Sequence, residues 1–130
     1  HGPIVLKDGA LLQVGRDQER VNSDQVINEI SVMRSTDAGR TWRQVYKARA
    51  CRCCAFSRGR LLVGIGYDSF FDHYAVGGVW LSEDAGATWQ SLNDRSLVNR
   101  NVNAITVDPF DADSIWVATQ GNAIFTRRLP

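Results

Sequence analysis

"RSTDAGRTW" (34–42) and "LSEDAGATW" (81–89) are nearly one polar phrase written twice, each copy ending in tryptophan. Both obey Ser-x-Asp-x-Gly-x-Thr-Trp, and the serines Ser35 and Ser82 stand 82 − 35 = 47 residues apart. Each residue type has a folding task. Ser35/Ser82 and Asp37/Asp84 can accept backbone N–H groups of a turn. Gly39 and Gly86 allow a positive φ. Thr41/Thr88 favour resumption of extended backbone. Trp42/Trp89 bury a large ring while the indole N–H finds a local acceptor. The phrase therefore predicts a hairpin loop between two strands, and its aspartates are turn builders in preference to catalysts.

Working outward, the same strand order surrounds each copy. "PIVL", "CRCCAF" and "VNAITVD" read as first strands. "GALLQVGR", "GRLLVGIG" and "SIWVATQG" read as second strands, and "ISVMR", "GGVWL" and "NAIFTRR" as third strands. "RQVY" and "WQSL" follow the phrases as fourth strands. These are short apolar or alternating runs bounded by turn residues. No stretch carries a helical apolar period. A repeat of this length fits a four-stranded propeller blade. The expectation is one all-β domain over 1–130, in units of about 3–47, 48–93 and 94–130. That amounts to about 2.7 four-stranded antiparallel blades, the third unit lacking its fourth strand.

The two phrases resemble the Asp-box, or bacterial neuraminidase repeat, at Ser, Asp, Gly, Thr and Trp. "PIVLKDGALLQVGR…ISVMRSTDAGRTW" resembles the first blade of a sialidase-like propeller. "VNAITVDPFDADSIWVATQGNAIFTR" resembles blades of xyloglucanase-like and photosystem II assembly factor-like propellers. The resemblance implies a β-propeller scaffold, and such scaffolds carry unrelated activities. For a sialidase it implies an arginine cluster, a tyrosine nucleophile paired with a glutamate, and an acidic acid/base. Arg16 and Asp24 stand in the corresponding first-blade region, but Pro3 and Ile4 follow no arginine.

Closed propellers hold about 4–8 blades, so about 2.7 blades leave open sheet edges. Three arrangements answer this: an excerpt of a longer propeller, a compact solitary assembly, or association of copies. Two chains forming a six-bladed ring is the favoured expectation.

Strand alternation puts both Trp-ended loops on one end and the loops between second and third strands on the other. Those loops are expected to be long: 16–29 and 67–78. They collect Arg16, Asp24, Tyr67, His73 and Tyr74 as ligand candidates for a glycan or a protein. Solvated loops account for the same composition. Arg49, Arg52, Arg95 and Arg100 fall near that end in the links between units, and Phe70 and Phe71 suggest packing or an interface. Glycoside hydrolysis needs two carboxyl groups about 5–10 Å apart, for which Glu19, Asp68 and Asp72 are the candidates. The favoured function is a non-catalytic binding or assembly module. The alternatives are a sialidase-like or other glycoside hydrolase whose active site is completed by oligomerisation or by missing blades, and a purely structural or interaction protein.

Bulk composition excludes other classes. Hydrophobic content of 44%, charged content of 22% and a net charge of +1 describe an ordinary globular domain without a nucleic-acid or anionic-membrane partner. No apolar run is long enough to span a bilayer. Cys51, Cys53 and Cys54 lie too close together for a disulfide framework and lack further ligands for zinc, so buried strand thiols are expected. Clustered thiols favour a cytoplasmic compartment, with secretion left open. "DPFDAD" (108–113) lacks the glycine and distal glutamate of a calcium loop and predicts a capped turn. No cofactor or metal is expected, and no phosphate loop or nucleophile elbow occurs.

Overall fold

The computed structural model describes residues 3–6, 8–20, 26–49, 51–66, 77–121 and 123–130; the side chains of 16–20, 26–30 and 47–49 are not described. The protein is all-β. β1 (Ile4–Val5), β2 (Leu11–Arg20), β3 (Val26–Ser35) and β4 (Arg43–Arg49) form the first sheet. β5 (Cys51–Ser57), β6 (Arg60–Ile65), β7 (Gly78–Ser82) and β8 (Gln90–Ser91) form the second. β9 (Val102–Val107), β10 (Ser114–Thr119) and β11 (Ala123–Arg128) form a three-stranded third sheet. Every pairing is antiparallel between chain neighbours, so each sheet is a meander.

The sheets stack in chain order. β5 packs on β2 and β3, and β9 packs on β5 and β6. The side-chain period of two explains how the middle sheet serves both contacts. Leu61, Val63 and Ile65 join Leu12, Val32 and Val45 in the core between sheets one and two. Leu62, Val79 and Leu81 join Val102, Ile105, Ile115 and Val117 in the core between sheets two and three. "RLLVGI" is thus apolar on consecutive positions because both its faces are covered. Gly64 allows a close approach to the third sheet: a Cβ there would overlap Val102 Cγ1, and also Cys53 Sγ of its own sheet.

Both Trp-ended phrases form hairpins with matching bonds. The Ser35 hydroxyl donates to Asp37 Oδ1 (2.8 Å) and accepts from the Gly39 amide (2.9 Å). Asp37 then accepts from the Thr41 amide (2.8 Å) and hydroxyl (2.5 Å). Ser82, Asp84, Gly86 and Thr88 repeat this at 2.6–2.8 Å. Gly39 and Gly86 have φ of +86° and +91°. The preceding Ala38 and Ala85 also take φ of 57°, which the sequence reading missed because alanine does not advertise it.

Two expectations are corrected. Residues 16–20 and 26–29 are strand, not loop: β2 and β3 stay paired as far as Arg20↔Val26, so Arg16 and Glu19 belong to a strand, and 21–25 lie outside the described residues. "KARACR" is not a loop either, since β4 reaches Arg49 and β5 begins at Cys51. Both stretches are charged, and strand formation depends on pairing context more than on intrinsic preference. The acidic turn is capped as expected. Asp108 accepts from the Phe110 amide (2.8 Å) and the Trp116 indole (3.1 Å), and Asp111 accepts from the Asp113 amide and the Ser114 hydroxyl.

Candidate functional site

Of the residues nominated from sequence, Arg16 lies in β2 opposite Ile30 and Glu19 opposite Ile27. Asp24, Tyr67, Asp68, Asp72, His73 and Tyr74 lie outside the described residues, as do Phe70 and Phe71. The described residues therefore bring none of this set together as side chains. Arg95 and Arg100 are exposed in the link before β9.

At the end opposite the hairpins, the described residues form a polar network that the sequence reading undervalued. Arg52 Nη1 donates to Asn103 Oδ1 (2.5 Å), and Asn101 Nδ2 donates to Gln120 Oε1 (2.8 Å). Asn99 Nδ2 donates to the Gln120 carbonyl (2.7 Å), whose own amide donates to the Asn101 carbonyl. Asn101 is buried, and a Cβ on Gly66 would collide with Arg52 and Asn101 Oδ1. Asparagine crowding in "VNRNVN" (98–103) was the available signal. The network ties sheets two and three together, and its buried member is paired, as a buried amide must be.

The hairpin aspartates are bound anions. Hydrogen bonds from the Thr41 hydroxyl, then the Thr41 amide and Ser35, hold the Asp37 carboxyl at about 2, below its ordinary 3.8. Thr88, through its hydroxyl and then its amide, and Ser82 do the same for Asp84. Such groups are poor proton donors near neutrality. The cysteines are held as neutral thiols for the opposite reason. Burial pushes all three thiols up, Cys53 to about 11. Among the described residues, no group of three or more His, Cys, Asp or Glu side chains is placed to hold a metal ion.

The two hairpins differ in what lies beside them. Trp89 Nε1 donates to the Gly86 carbonyl (3.2 Å) of its own hairpin and to the Val45 carbonyl (3.1 Å) of β4 in the preceding sheet. Its ring meets Tyr46 at 4.5 Å between centroids, tilted by 59°. Trp42 Nε1 donates to the Gly39 carbonyl alone (3.0 Å) among the described residues. Gly39 has no neighbour nearer than Leu11 and Trp42, both 3.6 Å from a notional Cβ, whereas Gly86 lies directly against Val45.

A cavity of about 200 Å3 opens between sheets one and two on the hairpin side. Leu6, Leu12, Phe56, Leu61 and Ala85 give it apolar walls, and Asp8 and Arg34 stand at its polar edge. Arg34 Nη2 donates to Asp8 Oδ2 at 2.6 Å; the Arg34 side chain is 16% exposed and that of Asp8 57%. Arg34 Nε is buried without a hydrogen-bond partner.

The chain matches no family model, no curated protein and no solved structure.

Proposed function

We propose that the protein is a non-catalytic binding and assembly module, its sheets serving as Asp-box propeller blades that associate with those of a second copy. One observation carries this reading. The second hairpin anchors on the preceding sheet through Trp89 and the Val45 carbonyl, while the matching seat around Trp42 and Gly39 is open among the described residues. The third sheet of one copy would meet the first hairpin of another in the order in which sheet one meets hairpin two, but it has no fourth strand to match β4, so its outer face would have to supply the seat for Trp42. The outer face of sheet three offers Trp116 and Ile124, 46% and 66% exposed, for that contact. A dimer then completes the ring that the blade count calls for, and its loop end is the face assigned to a glycan or protein ligand. The tightly bound Asp37 and Asp84 support a structural over a catalytic role.

Native mass spectrometry and light scattering between 1 and 100 µM (concentrations of about this order suit a standard interface) test the reading. Twice the chain mass is expected, with Trp42→Ala shifting the equilibrium toward single chains. A single-chain mass across the whole range overturns it.

A further inference from the structure

The strand register makes the position of Arg34 unusual. Arg34 pairs with Leu12, and Leu81, one repeat later, pairs with Leu62. Both pairs point toward the following sheet. Leu81 is fully buried there, so leucine meets the packing demand at this position. In the first sheet the same seat holds a guanidinium beside an open apolar cavity, with Nε–H buried and unpartnered. A buried donor without an acceptor costs free energy that a plain packing residue would not. Arg60 and Arg127 also carry an unpartnered Nε, but of the three only Arg34 lines this cavity, where an acceptor could enter beside it.

The cavity limits what that can be. About 200 Å3 exceeds the ~150 Å3 that accommodates a benzene ring, and the walls are leucine, phenylalanine and alanine. The guanidinium charge is already balanced by Asp8 at 2.6 Å. A second anion would enter beside that carboxylate, whereas an uncharged acceptor meets no such repulsion. We propose that this cavity is a binding site for an uncharged, one- or two-ring-sized apolar ligand carrying a single carbonyl oxygen, which accepts from Arg34 Nε. Asp8 fixes the guanidinium and turns carboxylates away. The site is independent of the association described above, because both of its walls come from one chain.

The test uses three probes of one shape: acetophenone, ethylbenzene and benzoate. Binding is followed by amide and methyl chemical shifts at Gly59 and Ala85, which line the cavity. Acetophenone is expected to bind about tenfold or more tighter than ethylbenzene, the gain of one charge-assisted hydrogen bond, and benzoate weakest. Arg34→Leu, which copies the second sheet, is expected to erase the acetophenone advantage while ethylbenzene still binds. Arg34→Met keeps an unbranched stem but carries no N–H donor, and gives the same readout should the leucine variant not fold. Absence of shifts at Gly59 and Ala85 at millimolar probe overturns the proposal. So does benzoate binding tightest, or an acetophenone preference that survives both substitutions.

Discussion

Gly39→Ala and Gly86→Ala place the same methyl group at the same position of two copies of one hairpin, so each controls for the other. Backbone strain is common to both, because φ is +86° at Gly39 and +91° at Gly86. Forcing alanine into that region costs about 1–2 kcal/mol. At Gly39 the new Cβ meets nothing closer than 3.6 Å, so strain is the whole effect. At Gly86 it would sit 2.6 Å from Val45 Cβ, an overlap with an atom attached to the β4 backbone that no rotamer relieves. Relief needs the hairpin and sheet one to part, which adds about 1–3 kcal/mol of overpacking. Gly39→Ala is therefore expected to lose about 1–2 kcal/mol and Gly86→Ala about 2–5 kcal/mol. Urea unfolding with an unchanged slope measures both losses. Amide shifts at Val45 and Tyr46 should respond to the second substitution and not to the first. Equal losses within about 0.5 kcal/mol, the usual scatter between independent sites, would refute the packing of hairpin two on β4.

Acid should destabilise the fold in a defined window. Asp37 and Asp84 titrate at about 2 in the folded protein against an ordinary 3.8. Below 3.8 the unfolded chain takes up protons that the folded one refuses, so their contribution is complete above pH 3.8 and lost as pH falls toward 2. Urea midpoints should decline across that window, and Thr41→Val with Thr88→Val should flatten the decline. Native Cys51, Cys53 and Cys54 should react with a thiol reagent at pH 8 at least about tenfold more slowly than in urea, since burial suppresses the thiolate; equal rates would contradict their burial. Arg60→Leu should cost about 1–3 kcal/mol in urea unfolding. It removes an 11% exposed guanidinium bonded to Asp113 and to the Ala112 and Pro130 carbonyls. A neutral result would show that this tie between sheets two and three is idle.

The hairpins were legible because their chemistry is local. Ser, Asp, Gly, Thr and Trp bond within seven residues of one another, and spacing alone reports such contacts. The strand order was legible for a similar reason, since each sheet pairs only chain neighbours. Three things were not. The extension of β2 and β3 through "RDQER" and "VINEI" rests on cross-strand pairing, which polar residues do not announce. The Arg52–Asn103 and Asn101–Gln120 bonds join residues up to 51 positions apart, a separation that no window sees. The cavity beside Arg34 arises only when two sheets meet. Its one sequence signal, an arginine at the repeat position where the second unit has Leu81, becomes readable after the 47-residue frame is laid over the strand register.

The same frame bears on how copies would meet. Gln13 in β2 holds the place of Val63 in β6, and Met33 the place of Trp80. Val63 is fully buried between sheets, while Gln13 is exposed and Met33 only partly covered. The repeat is thus kept where sheets pack inside one chain and relaxed on the outer face of sheet one, beside Trp42. An interface there buries less apolar area than the internal ones, and because sheet three has no strand matching β4, it adds to that burial only aromatic contact with Trp42, about 0.5–1.5 kcal/mol. Self-association by this route is consequently expected to be reversible and concentration-dependent. Restoring the internal pattern with Gln13→Val should strengthen it. A tighter dimer in that variant, abolished again by Trp42→Ala, would place the contact on this face; an unchanged dissociation constant in both would place it elsewhere.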